Sequence, residues 1–239
     1  MKTIMITGAN SQIGSFLARQ YEAEGRDLIL LYHKNDHRIK DLKSRKLALD
    51  LRDLGALERL VSKLKIEIDC LIHCSAIRSE DTQALAETDP LQFKQVFDEN
   101  FYPAYNVLRA ILPQMMDRHF GRVILFSSEV TRSGLPNGSA YAASKAAIAN
   151  MCKSAALECA SANVLINTIA PAPVDTALEE DFSGPYLIFR KAYFADHIAG
   201  SASKQLVSIA EIKQLADLLI SEETRSLCGE EIFLTGGKL

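Results

Sequence analysis

Tryptophan is absent from this 239-residue chain, and so is any stretch near the eighteen or so apolar residues of a membrane span. No membrane partner is therefore expected. Neither charge is in excess: 27 lysines and arginines stand against 30 aspartates and glutamates, a net charge of −3. That balance offers no surface for a polyanion, and nucleic acid is not an expected partner. The opening "MKTIMITGAN" has an apolar run that stops at Gly8, too short for a signal peptide. Five cysteines, at 70, 74, 152, 159 and 228, fit neither a zinc spacing nor a disulfide framework. They are read as buried thiols of a cytoplasmic protein. His33 and His37 stand four apart without a general-base glutamate between them, so no metal site is expected. Linkers, repeats and low-complexity segments are missing too, which leaves one domain over residues 1–239.

What the chain does have is alternation. Apolar runs at 3–7 (TIMIT), 28–32 (LILLY), 46–50 (KLALD), 70–76 (CLIHCSA), 121–128 (GRVILFSS), 164–170 (VLINTIA) and 230–235 (EEIFLT) predict seven strands. Amphipathic segments at 12–25, 54–64, about 90–118 and 139–161 predict helices between them. Runs without polar alternation are those of strands buried on both faces. The pattern predicts an α/β fold, a single doubly wound (Rossmann-type) seven-stranded parallel sheet with helices on both faces. Residues 177–207 show no strand and hold Phe182, Tyr186, Phe189, Tyr193 and Phe194. A helical lid over an apolar substrate and an aromatic stripe closing the core both fit that composition.

Two local patterns bear on chemistry. "ITGANSQIG" (6–14) joins the first strand to its helix. Gly8 permits a tight turn, Gly14 lets the helix pack closely on the sheet, and the open amides of the helix start suit a diphosphate. Gln12 stands where such loops usually carry their middle glycine. At the tip of the second strand, Tyr32 occupies the place of the acid that would accept from an adenosine ribose 2′-hydroxyl, and His33 and Lys34 follow. NADP(H) is therefore favoured over NAD(H). The second pattern is "YAASK" (141–145), which puts Tyr141 and Lys145 on one helical face. An ammonium one turn from a phenol favours the phenolate, an arrangement that moves a proton to or from a substrate oxygen. Ser128, at the end of the fifth strand, can donate to that same oxygen.

Together with "SS" at 127–128, "NTIAPAPVDT" at 167–176 and "GEEIFLTGG" at 229–237, these segments resemble the short-chain dehydrogenase/reductase family over nearly the full chain. The chain looks most like the branch of 3-oxoacyl-carrier-protein reductases and related carbonyl reductases. The resemblance implies Asn100, Ser128, Tyr141 and Lys145 as catalytic residues. It also implies that Lys145 holds the nicotinamide ribose, and that a water near Asn100 relays protons to it. Pro103 should loosen and kink the helix around Asn100. For the cofactor, the resemblance implies Asn10, Ser11 and Ile13 in the first loop, and Asp50 and Leu51 flanking the adenine. Cys74, Ser75, Ala76, Pro171, Val174 and Thr176 complete that implied set. Three departures from the family pattern are present. They are Gln12, the "HCSA" of 73–76 in place of Asn-Asn-Ala-Gly, and Ala172 in place of a glycine.

The leading expectation is an NADPH-dependent carbonyl reductase. An NAD-dependent alcohol dehydrogenase and a silent cofactor-sensing protein are the alternatives. The helices at about 90–118 and 139–161 look too apolar for a monomer, with Val107, Leu108, Ile111, Leu112, Met115 and Met116 on one, and Ile148, Met151, Ala155 and Leu157 among those on the other. A homodimer or homotetramer is expected through them.

Overall fold

Apolar runs become one parallel sheet in the computed structural model, which describes residues 2–77 and 83–238. The strands are β1 (Thr3–Thr7), β2 (Asp27–Tyr32), β3 (Arg45–Ala48), β4 (Cys70–His73), β5 (Gly121–Phe126), β6 (Val164–Pro171) and β7 (Glu231–Leu234). Their order is β3-β2-β1-β4-β5-β6-β7. The chain reverses its direction of growth between β1 and β4, and ligands of such sheets bind in the crevice at the carboxyl ends there.

Helices cover both faces: α1 (Gln12–Ala23), α2 (Leu54–Leu64), α3 (Pro90–Asp117), α4 (Val130–Ser133), α5 (Ser139–Cys159), α6 (Leu178–Asp181), α7 (Gly184–Gly200) and α8 (Ile209–Ile220). Successive residues of β1 face opposite ways, as a strand requires. Ile4 and Ile6 pack with Leu17 and Tyr21 of α1 and with Ile212 and Leu219 of α8. Met5 packs with Val107 and Ile111 of α3 and with Ile148 and Cys152 of α5. Local chemistry starts the helices: Asp53 accepts from Ala56 N at 2.8 Å and Asp89 from Leu91 N at 2.9 Å, with Pro90 in the first turn.

Several expectations need correction. β4 ends at His73, so Cys74–Ala76 is a loop rather than strand. β3 ends at Ala48, which frees Asp50 to face the crevice. The helix expected at 12–25 stops at Ala23, and that expected at 139–161 ends at Cys159 and tightens into a 3-10 turn. α3 keeps its expected extent, Pro90–Asp117, with Pro103 and Pro113 inside it. α8 was not anticipated, although Ser208 and Glu211 form a capping box at its start.

The sheet itself takes much of the apolar surface that seemed to demand a partner. Val107, Ile111, Met115, Ile148 and Ala155 are all buried within the one chain. Leu91 at 75%, Leu157 at 85%, Tyr102 and Tyr105 remain exposed on α3 and α5. No helix among the described residues is long and apolar enough to cross a membrane.

Candidate active site

The β1–α1 loop leaves no room for side chains at its glycines. Gly8 has φ +63°, and a Cβ there would meet Ser75 N at 2.5 Å. A Cβ on Gly14 would meet Gly8 O at 2.4 Å. Ser11 Oγ accepts from Gly14 N at 3.0 Å, which caps α1. The first turn of α1 then presents backbone amides at the crevice, a cradle that fits a dinucleotide diphosphate. Gln12 has found other work. Its Nε2 donates to Ala177 O at 2.7 Å and Asp181 Oδ2 at 2.8 Å, and its Oε1 accepts from Ala177 N at 2.8 Å. Arg38 reinforces this tie, donating to Asn10 O at 3.1 Å, Glu180 at 3.0 Å and Asp181 at 2.8 Å. The first loop is thus fastened to α6.

The replaced Asn-Asn-Ala-Gly segment is also accounted for. His73 Nδ1 lies 2.7 Å from Thr7 Oγ1, a side-chain bond between neighbouring strands β1 and β4. The ring is buried and its Nε2 has no hydrogen-bond partner among the described residues. Burial, helped by the Lys145 charge, holds its pKa down at about 3, so the imidazole is neutral. Burial pushes the thiols of Cys70, Cys74 and Cys152 up to about 12, which makes them poor nucleophiles.

On the side of β2, a cavity of about 440 Å³ is lined by Gly8, Asn10, Ser11, Tyr32, His33, Lys34, Asp50 and Leu51. Cys74, Ser75 and Ala76 close its floor. Arg52 donates to Asp50 at 2.7 Å and holds that carboxyl down at about 2, with burial opposing. His33 Nε2 stands 3.8 Å from the same carboxylate. Asp50 is therefore already matched by Arg52, and Lys34 adds a further cation to the cavity lining.

A second cavity, about 470 Å³, shares Ser11, Cys74, Ala76 and Ile77 with the first. Ser128, Tyr141 and Lys145 line it together, with Gln12, Ile13, Pro171, Val174 and Thr176. Lys145 is buried, donates to Phe126 O at 2.9 Å, and lies 5.6 Å from the Tyr141 ring centroid. Ser128 Oγ accepts from Val130 N at 3.4 Å. The i,i+4 spacing on α5 and the end of β5 thus converge on one space. Asn100 and Gly14 line neither cavity. Asn100 is fully buried, donating to Val96 O at 2.8 Å and accepting from Ile77 N at 3.1 Å. It clamps the loop after β4 to α3.

The outer wall comes from α6 and α7. Phe182, Tyr186, Arg190, Tyr193 and Phe194 line the cavity, while Phe189 is exposed on the far side. Part of the segment 177–207 therefore lines the cavity, and Phe194 is buried there. Sequence reasoning missed Arg190, Arg38 and Glu129. The last had a signal: a carboxylate directly after a strand-end serine pair, in an otherwise apolar run, is out of place unless it is used.

A family model described as enoyl-(acyl carrier protein) reductase matches residues 8–238. The chain belongs to the short-chain dehydrogenase/reductase family and is an oxidoreductase. Oxidoreductase UcpA of Salmonella typhimurium is 30% identical, the match covering 99% of this chain and 94% of that protein. A 3-oxoacyl-(acyl-carrier-protein) reductase from Agrobacterium tumefaciens with NADP bound is 27% identical, with a TM-score of 0.84 over 99% of this chain and 93% of that one. A Brucella melitensis 3-oxoacyl-[acyl-carrier protein] reductase with bound NAD shares the fold at 22% identity, with a TM-score of 0.84 over 99% and 90% of the two chains.

Proposed function

We propose that the protein is an NADPH-dependent carbonyl reductase, turning a ketone or aldehyde into an alcohol. The observation that supports it most is the convergence of Ser128, Tyr141 and Lys145 on one cavity that shares Ser11, Cys74, Ala76 and Ile77 with the crevice beside β2. The first-loop amides with Asn10, Ser11 and Ile13 would hold a diphosphate, and Asp50 and Leu51 would flank an adenine. Cys74–Ala76, Pro171, Val174 and Thr176 would border a nicotinamide, which supplies a hydride to the carbonyl carbon when bound.

The remaining steps belong to this chain. Ser128 Oγ donates to the substrate oxygen and holds it near Tyr141. The Tyr141 hydroxyl gives that oxygen its proton, and the Lys145 ammonium one turn away favours the phenolate left behind. Phe126 O fixes the ammonium in place. Tyr32 brings no carboxylate to the β2 tip, while Lys34 brings positive charge, which supports a 2′-phosphate. The NADP of the Agrobacterium relative agrees with that preference. Five free cysteines support work in a reducing cytoplasm. The exposed Leu91, Tyr102, Tyr105 and Leu157 support a dimer or tetramer.

Initial rates with NADPH and NADH over a panel of ketones and aldehydes test the reading, with Tyr141→Phe as control. The expectation is a lower KM for NADPH and near-complete loss of turnover in the variant, its NADPH affinity little changed. A variant that kept a large share of the rate would remove Tyr141 as the proton donor.

A further inference from the structure

One group of titratable side chains in the substrate cavity takes no part in the chemistry above. Glu129 follows Ser128 and lines the same cavity, yet its side chain is only 7% exposed. Tyr193 Oη donates to its Oε1 at 3.0 Å. His197 Nδ1 lies 3.8 Å from Oε2, beyond hydrogen-bond reach, and neither ring nitrogen has a hydrogen-bond partner among the described residues. Burial pushes the His197 pKa down, so this ring is neutral and offers no counter-charge. Among the described residues no lysine or arginine forms an ion pair with Glu129. Arg190, 5.3 Å from the Tyr193 ring centroid, and Lys145 line the same cavity. A carboxylate has about four acceptor sites, and leaving them unmet away from water is costly. Glu129 therefore has acceptor capacity to spare, beside the position a substrate carbonyl would take on Ser128.

We propose that Glu129 selects the substrate, and that the substrate is a hydroxy ketone whose hydroxyl, on a carbon next to the carbonyl, donates to Glu129. This deepens the carbonyl-reductase reading and rests on it. Chemistry narrows the choice. A carboxylate at that carbon would face Glu129 as a like charge in a poorly hydrated space. An ammonium would share the cavity with Arg190 and Lys145. A plain alkyl group would displace water from Glu129 and leave its oxygens unmet, the situation in which a polar site rejects an analogue that lacks the donor. A neutral hydroxyl meets all three conditions. Reduction then yields a vicinal diol: the carbonyl carbon gains a hydride, its oxygen gains the Tyr141 proton, and Glu129 is unchanged.

1-Hydroxy-2-butanone and 3-pentanone differ only by a hydroxyl in place of a methyl. The test is kcat/KM for each with NADPH, in the wild type, Glu129→Gln and Glu129→Leu, beside calorimetric binding of both compounds to the NADP-loaded protein. The wild type should favour the hydroxy ketone by about 10- to 100-fold, the range of a hydrogen bond to a charged acceptor. Glu129→Leu should bring the ratio close to unity, chiefly through loss on the hydroxy ketone. Glu129→Gln keeps one acceptor oxygen and the side chain's shape, and should retain part of the preference. If Glu129→Leu does not fold, the Gln variant decides. Equal use of both ketones by the wild type, or a ratio unchanged in the variants, overturns the proposal. So does a parallel fall on both ketones, which would make Glu129 a mere anchor for α7. Preferential binding without turnover of either compound would instead refute the reductase reading and leave the selectivity standing.

Discussion

Replacing His73 by asparagine should make the protein less sensitive to acid. In the fold the ring stays neutral until about pH 3, whereas an ordinary histidine takes its proton near 6.5. Between those values the unfolded chain binds the extra proton, so stability rises with pH. The contribution is complete above pH 6.5 and is lost as pH falls toward 3. Each pH unit inside that window costs about 1.4 kcal/mol, and a descent from pH 7 to pH 5 costs about 2 kcal/mol. His197 is shifted the same way, and carboxyls such as Asp50 and Glu22, shifted down, also lose stability in acid. The comparison with His73→Asn cancels those common terms, while asparagine can still bond Thr7. Urea unfolding at pH 7 and pH 5, at one fixed protein concentration, measures it. The wild type should lose about 2 kcal/mol more than the variant over that interval. Parallel losses would mean that the buried ring is not the acid-sensitive group.

Lys145→Ala should weaken both turnover and cofactor affinity, whereas Tyr141→Phe spares affinity; equal affinity in the two variants, by fluorescence titration, would contradict the dual role. Tyr32→Asp should narrow or reverse the NADPH preference by setting a carboxylate against the 2′-phosphate, and an unchanged KM ratio would count against the β2 tip as the selector. Ala155→Arg, the natural choice from sequence, is no clean test of assembly, because Ala155 is only 9% exposed within the single chain. Leu157→Arg is the better probe: it should shift the light-scattering mass toward 26.4 kDa, and a wild type already at that mass would remove the proposed interface. Arg122→Met should cost about 3 kcal/mol in urea unfolding, since it strips donors from the carbonyls of Asn163, Ser221 and Thr224, and a loss under about 1 kcal/mol would show those carbonyls find water.

Strands buried on both faces announce themselves, because no charged residue interrupts "TIMIT" or "VLINTIA", and their alternation with helices made the parallel sheet legible, while the order of its strands came from the structure. The Tyr141–Lys145 pair was legible for a similar reason: a fixed helical spacing maps directly onto one face. Properties that depend on the partner across space were harder. That His73 would take Thr7 as its partner required knowing that β1 and β4 are neighbours. The apolar residues of α3 looked like surplus because their burial against the sheet has no mark of its own in the sequence. α8 is the exception, since "SIAE" announced its start and was passed over. Glu129 was visible as an oddity, but its burial emerges only once α7 packs over it.

Gln12 and Arg38 fasten the phosphate-side loop to the same segment that carries the substrate wall. Occupancy of one end is then felt at the other as a shared free energy, equal in both directions. A nucleotide that settles the loop also settles α6, and a substrate held beneath α7 slows the nucleotide's escape. Nucleotide and substrate should accordingly raise each other's affinity by one common factor. Titrating each with and without the other would display that factor, and the replaced glycine would be its mechanical origin.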